Sequence, residues 1–334
     1  MSKTHIVWFK RDLRVHDHAP LAAACASGEP VLALYIFEPC LWSGPDGTSR
    51  QLSFLRESLE ELSEALEERG AQLVIRSGDA ADVFAQLHRD HGIAAIHSYR
   101  EGRGGPEAKR NDAVRRWALR AGVSLREQDT ANALRHLNER NGWHQRWHAH
   151  VSAPRRLAPE FIFAASARTE DIGSVHLSHL QDSDESPAPP GGRTHAVRLL
   201  RRAFVAGDAH TFRDIVRALK QHIGMGTISI REAVQAAMRA KRIGTPGEST
   251  TYAESLMDRL RDDCERQYRM DERAASRPLG AVPAGERAVN AVHRHPLSQP
   301  NVNEARRRSR TPETVPQNQL SFDFRGSHQP TRQS

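Results

Sequence analysis

Lys10, Arg11, Asp12, Arg14, His16, Asp17 and His18 crowd titratable side chains into one short stretch directly after the apolar run Ile6–Phe9. Cations and carboxylates gathered there suit the binding of a polar or anionic ligand, because an open α/β sheet binds its ligands beyond the carboxyl ends of its strands. The plainer reading is that Arg11, Asp12 and Arg14 pair with one another on a solvated turn. A second cluster follows the apolar run Ala94–Ile96, where Arg100, Glu101 and Arg103 stand among Gly102, Gly104 and Gly105. Glycines there let a ligand approach the backbone, and they serve ordinary turns equally well. His144 and His148 are four apart, as on a zinc-protease helix, with His150 close by. Gln145 stands where such a helix needs a glutamate and cannot take a proton from metal-bound water, so no metal site is assigned. Cys25, Cys40 and Cys264 have no paired spacing, which leaves neither a disulfide framework nor a zinc site. No glycine pattern of the Walker or Rossmann type occurs.

The elements that must position these residues alternate in type. Ile6–Phe9 and Val31–Phe37 read as fully buried parallel strands. Leu52, Leu55, Leu59, Leu62 and Leu66 give the segment from Gln51 to Arg69 a helical period, with Gly70 as its stop. Leu73–Ile75 is a third strand; Asp79 then caps a helix from Ala80 to Arg89. Ala94–Ile96 forms a fourth strand, and a helix from Glu107 to Ala121 leads to a fifth near Val123–Arg126. Five βα units in this order predict a Rossmann-like, doubly wound, five-stranded parallel sheet with strand order 3-2-1-4-5 over residues 1–130. That order places the switch point between strands one and four, which brings the Lys10–Asp17 loop beside Tyr99–Gly105.

Beyond residue 130 the pattern changes. Residues 131–192 read as an interdomain linker, with little periodicity to 180 and an Asp, Ser, Pro and Gly-rich stretch from Asp182 to Gly192. Within 193–272, three helices are expected at Thr194–Phe204, Ser229–Arg242 and Ala253–Met270. Residues 273–334 hold ten arginines, no lysine and four acids, so they carry most of the net charge of +7, and the preceding 272 residues are nearly neutral. This tail is expected to be disordered, with Arg306, Arg307, Arg308 and Arg310 as a solvated run that offers at most modest, salt-dependent phosphate contacts. No stretch approaches the apolar length of a membrane span, and a strand begins too near Met1 to leave room for a signal peptide. A monomer in a reducing cytoplasm is the expectation.

Several dispersed segments resemble the DNA photolyase/cryptochrome family. The run from Ile6 to Leu21 is similar to the family's opening strand and turn. Ser49-Arg50-Gln51 with Phe54-Leu55 resembles the start of its second helix, and Gly78-Asp79 the turn after strand three. Arg110, Ala113-Val114 and Trp117 match the helix after strand four, while Arg140-Asn141-Gly142-Trp143 with Arg146-Trp147 resembles the exit from the α/β domain. Gly191-Gly192-Arg193 and Gly226–Glu232 look like the start and the second helix of the family's helical domain. The likeness covers roughly residues 4–272.

The resemblance implies a light-driven flavoprotein: an α/β domain with an antenna pigment of folate or deazaflavin type, and a helical domain that holds FAD and acts on pyrimidine dimers in damaged DNA or in light sensing. It carries Arg11, Arg50 and Glu101 over as antenna-site candidates, although Gly104 replaces a usual Asn and Asn111 a usual Asp. It lays the family's hydroxyl-rich flavin-phosphate loop over Val216–Gln221, which holds no hydroxyl, leaving Arg217 and Lys220 as the candidates to meet a phosphate. Asp262, Asp263 and Glu265 stand where a cationic and aromatic surface is expected, and carboxylates repel DNA. All five tryptophans lie before residue 150, which excludes a tryptophan relay in the helical domain. The expectation is therefore a truncated or degenerate member: a short all-α remnant of the FAD domain, FAD binding weak or absent, no repair turnover by this chain alone, and no catalytic residue to assign. The alternative is a non-catalytic α/β module that binds a pigment or nucleotide.

Overall fold

The structure, a computed structural model, describes residues 4–42, 48–102, 105–130, 142–170, 189–243 and 248–275. Five parallel strands, β1 (Thr4–Phe9), β2 (Val31–Phe37), β3 (Leu73–Ser77), β4 (Ile93–Tyr99) and β5 (Ser124–Gln128), form one sheet in the order β3-β2-β1-β4-β5. The predicted doubly wound sheet is thus the one found. Every residue of β1 and β2 is buried, as strands covered on both faces must be, and their apolar runs follow from that. Helices α1 (Ala19–Cys25), α2 (Pro39–Trp42) and α3 (Ser49–Glu67) follow β1 and β2; α4 (Ala80–His91) and α5 (Gly105–Ala121) flank β4. Helix α3 buries Phe54, Leu55, Leu59, Leu62 and Leu66 in a single stripe, each worth about 1.5–3 kcal/mol of transfer free energy. Its first turn is closed by the Thr48 side chain, and that of α4 by Asp79, whose carboxylate accepts from Ala81 and Asp82 N–H.

The stretch read as a linker carries structure where it is described. Helix α6 (Trp143–Ser152) is followed by an extended strap that bridges β2 at Val31 and Ala164. The strap then closes the outer edge of β3. Thr169 Oγ1 accepts from Ile75 N–H at 3.0 Å, Glu170 Oε2 accepts from Ser77 N–H at 2.9 Å, and Glu170 N–H donates to Ile75 O at 2.8 Å. An edge strand covered in this way has no free ladder to pair with another chain. Residues 131–141 and 171–188 of the expected linker, and the tail beyond 275 with its Arg306–Arg310 run, lie outside the described residues.

Among the described residues the last unit has four helices, not three: α7 (Arg193–Ala203), α8 (Ala209–Gly224), α9 (Ile230–Ile243) and α10 (Glu248–Ala275). The additional one is α8, capped by Asp208 and burying Phe212, Ile215, Val216 and Leu219. Together with Trp143, Trp147 and Val151 of α6 these helices share one core that also takes in Leu199, Val234, Leu256 and Leu260. The helical unit docks on the α/β unit at the charged stretch after β1. Leu13 N–H donates to Met225 O at 3.2 Å, and Arg14 Nη1 donates to Gly226 O at 2.8 Å. Among the described residues no helix is long and apolar enough to cross a membrane.

Candidate functional site

At the carboxyl ends of β1, β2 and β4 a buried charge quartet stands on the face of Trp8. Lys10 Nζ lies 4.6 Å and Arg110 Cζ 5.1 Å from the Trp8 ring centre. Glu101 takes both cations, with Lys10 Nζ at 3.2 Å and Arg110 Nη2 in direct contact, and it also accepts from Asn111 Nδ2 at 3.2 Å. Arg110 Nη1 reaches Glu38 at 2.9 Å, and Lys10 Nζ donates to Tyr99 O at 2.7 Å. Burial alone would raise the Glu101 carboxyl; Lys10 and Arg110 more than offset it and hold it below the usual carboxylate range. Burial raises the Glu38 carboxyl against the pull of Arg110 and the Ala80 amide, and burial pushes the Lys10 ammonium down against the pull of Glu101.

This quartet forms the charged wall of a cavity of about 560 Å³. Tyr35, Ile36, Leu41, Trp42 and Phe54 supply its apolar surface, Arg11 and Arg50 stand at its rim, and Pro189, Gln221, Gly224 and Met225 close it from the helical side. The lining carries Lys10, Arg11, Arg50 and Arg110 against Glu38, Glu101 and Glu107, one cation in excess. Trp42 stacks on Phe37 with ring centres 5.6 Å apart, which fixes a flat aromatic wall. A pocket of this size, apolar on one side and with convergent charges on the other, suits a planar ring system that bears an anionic group.

The structure brings Arg11, Arg50 and Glu101 together around this one cavity. Arg11 is well exposed and pairs with Glu107 at 2.8 Å. The other two candidates lie elsewhere. Arg217 is on the outer face of α8 with 83% of its side chain exposed, and Lys220 pairs with Asp263 of α10 at 2.6 Å beside a separate interdomain cleft. Of the glycine loop, Arg103 and Gly104 lie outside the described residues, as do Arg140 and Asn141. His144 is exposed, and among the described residues no group of three or more His, Cys, Asp or Glu is placed to hold a metal ion. Lys10 belongs to the charged stretch that sequence reasoning placed at the switch point, but Glu38 and Arg110 were overlooked as members of the site. Glu38 directly follows a buried strand, a position from which ligand sites in such sheets are built.

Most of the charged stretch after β1 is used internally. His18 Nε2 and Asp12 Oδ2 are 2.8 Å apart and buried, and Asp12 Oδ1 accepts from Lys10 N–H at 2.6 Å. Burial works to raise Asp12, but His18, the Lys10 amide and Arg14 together outweigh it and hold the carboxyl low; burial also lowers the His18 imidazole although Asp12 opposes it. Asp17, at φ 49°, accepts from Arg231 Nη1 at 2.5 Å and from Arg156 N–H at 3.1 Å, tying β1's loop to α9 and the strap. The plainer reading, Arg11, Asp12 and Arg14 paired with one another on a solvated turn, does not hold: Asp12 is buried against His18, Arg11 pairs with Glu107, and Arg14 and Asp17 serve the seam between the units.

FAD, which the family resemblance implies for the helical unit, does not fit the residues present there. Val216–Gln221 lies within helix α8, where Val216 and Leu219 face the core and the backbone amides belong to the helix ladder. Hydroxyls, free amides and a helix N-terminus, the parts of a phosphate cradle, are all missing from that segment.

Comparison with known proteins matches residues 5–141 to the family model described as DNA photolyase. The chain is 37% identical over 105 residues to a cryptochrome DASH of Gloeobacter violaceus, an overlap of 30% of this chain and 21% of the relative. It is 40% identical over 95 residues to a deoxyribodipyrimidine photo-lyase of Salmonella typhimurium, covering 28% of this chain and 20% of the relative. Among solved structures a cryptochrome of Synechocystis superposes with a TM-score of 0.63 at 18% identity, over 80% of this chain and 62% of that one. The chain therefore spans about a fifth of the length of these curated relatives and under two thirds of the solved one. The α/β unit, residues 5–141, is thus where the chain is similar to the DNA photolyase family, and the strand order found there is the one expected of that likeness.

Proposed function

We propose that this chain binds an aromatic, anionic pigment in its α/β cavity and works as a chromophore-binding member of the family, not as a repair enzyme on its own. One observation carries the reading: Arg11, Arg50 and Glu101, far apart in sequence, converge with Lys10, Glu38 and Arg110 on a single cavity at the switch point of the sheet. The excess cation favours a ligand carboxylate or phosphate, and Tyr35, Trp42 and Phe54 favour a flat ring. Folate, deazaflavin and flavin pigments all have that chemistry. FAD-dependent repair of pyrimidine dimers in damaged DNA, or light sensing through FAD, is the activity of the wider family that the closed helix α8 argues against for this chain.

The test is the absorption spectrum of the purified protein, as isolated and after incubation with a folate, a deazaflavin and FMN. A band that stays with the protein through gel filtration, and is lost in Arg50→Ala with unchanged circular dichroism, is the expected result. A colourless protein that retains none of the three refutes pigment binding. Light-dependent loss of dimers from damaged DNA, with stoichiometric flavin bound, refutes the non-repair assignment.

A further inference from the structure

The family likeness lays a flavin pyrophosphate against Val216–Gln221, and this chain has built something else there. The segment lies well inside α8, which runs from Ala209 to Gly224 behind the Asp208 cap. Within a helix each amide is taken by the carbonyl four residues earlier, so none is left to meet a phosphate. Val216 and Leu219 are buried among Leu199, Leu256 and Leu260, so a turn could form here only by pulling both out of the core. The outward cations are engaged as well. Arg217 stands 3.7 Å from Asp214, and Lys220 Nζ stands 2.6 Å from Asp263 on the facing helix. Asp263 adds a negative charge on the side from which a pyrophosphate would have to come.

The last turn of the same helix has a different task. Gln221, Gly224 and Met225, with Pro189, close the α/β cavity from above. That roof is pinned to the cavity's own loop: Met225 O accepts from Leu13 N–H at 3.2 Å, and a side chain at Gly226 would sit 2.3 Å from Arg11 O. His222 packs tilted against Phe54 of α3 with ring centres 4.8 Å apart, holding α8 to the wall below.

We infer that the helical unit of this chain holds no flavin, and that α8 has exchanged phosphate binding for the fixed roof of the α/β cavity. The roof has a purpose only if that cavity is the pigment site proposed above; the closed helix stands without it. Amide hydrogen exchange on the full chain, with and without FAD, tests the helix directly. Amides of residues 216–221 are expected to be as protected as the rest of α8 without ligand, and unchanged when FAD is added. Free exchange in that segment, slowed by FAD, overturns the inference. Titration with FAD, followed by its fluorescence, is expected to saturate at no more than one equivalent. Lys220→Ser and Asp263→Ser are expected to leave that binding within about twofold, while Arg50→Ala weakens it about tenfold. An equivalent of FAD that survives Arg50→Ala and disappears in Lys220→Ser and Asp263→Ser also overturns it. Protected amides with no FAD bound support the closed helix, and the pigment spectrum then decides the cavity separately.

Discussion

Gly226 shows how much of the seam between the units depends on a single missing side chain. Its φ is +70°, and an added Cβ would meet the backbone of Arg11 and Asp12 at 2.3 and 2.4 Å, where no flexible side chain can yield. Gly226→Ala is expected to cost about 2 kcal/mol or more, read as a fall in the urea midpoint; an unchanged midpoint would show that the seam is looser than described. Arg110 makes the opposite case, of a side chain that cannot be removed. In Arg110→Ala, Glu38 loses its ion-pair partner and Glu101 keeps Lys10 as its direct one, both in a buried pocket. A loss of about 3 kcal/mol at pH 7 is expected, shrinking at pH 5, because the carboxyl pKa values then lie above their unfolded values and protonation favours the folded state. A loss that does not depend on pH would show that Arg110 acts by packing alone. Arg11, Arg50 and Glu101 were legible in sequence because they follow strands or open a helix in a recognisable order. Glu38 was not, since its partner Arg110 is 72 residues away and only the folded sheet brings them together.

Among the elements, those defined by local periodicity were readable and those defined by distant hydrogen bonds were not. Strands β1 to β4 and helices α3 to α5 announce themselves in apolar spacing, because each must bury one face or both against its neighbours. The strap before α7 has no period to read. Its backbone bonds go to Arg69, Val31 and Ile75, and its one deeply buried anchor, Ile162, is flanked by exposed Phe161 and Phe163. Ile162→Ala is expected to destabilise the protein by about 2–4 kcal/mol by emptying its place in the core beneath α3, whereas Phe161→Ala, at a surface position, should cost far less. Equal costs for the two, in parallel denaturation curves, would show that the strap is not seated as described. Helix α8 is the instructive miss. Phe212, Ile215, Val216 and Leu219 carry helical spacing, but likeness to a phosphate-binding turn competes with that signal over the same residues. Periodicity prevails because four apolar side chains must be buried, and the turn's own hydroxyls are absent.

At the scale of the whole molecule, the seam and the sheet are both built around imidazoles that must stay neutral, and this fixes how the protein responds to acid. His97, at the β1–β4 contact, and His222, between α8 and α3, are fully buried, and burial pushes both down to about 4. His97 lies against His5, and His222 against Phe54, His195 and Thr227, so neither has a carboxylate among these neighbours to stabilise a proton. In the unfolded chain each takes up its proton near pH 6.5, whereas in the folded chain it does so only near 4. Between those values the unfolded state binds more protons, so stability falls as pH falls, by about 2 kcal/mol for each group between pH 6.5 and 5. The carboxylates act later. Asp12, Asp17 and Glu101 are held low in the folded state, so their stabilisation is complete above the ordinary carboxylate range and is lost only as pH drops through their lowered values. The first leg of acid unfolding, above pH 5, thus belongs to histidine: His150 is also pushed down to about 4 by burial and by Arg231, and of these three imidazoles His222 sits at the seam that roofs the cavity. Urea midpoints at pH 7 and pH 5 are expected to differ clearly in the wild type, and to differ by about 2 kcal/mol less in His222→Gln, which cannot take up the proton. Bound pigment should be released over the same interval, since Met225 of the roof follows His222 by less than a turn. An acid slope that is the same in both proteins would remove His222 from the seam's energetics and leave His97 and His150 to account for it.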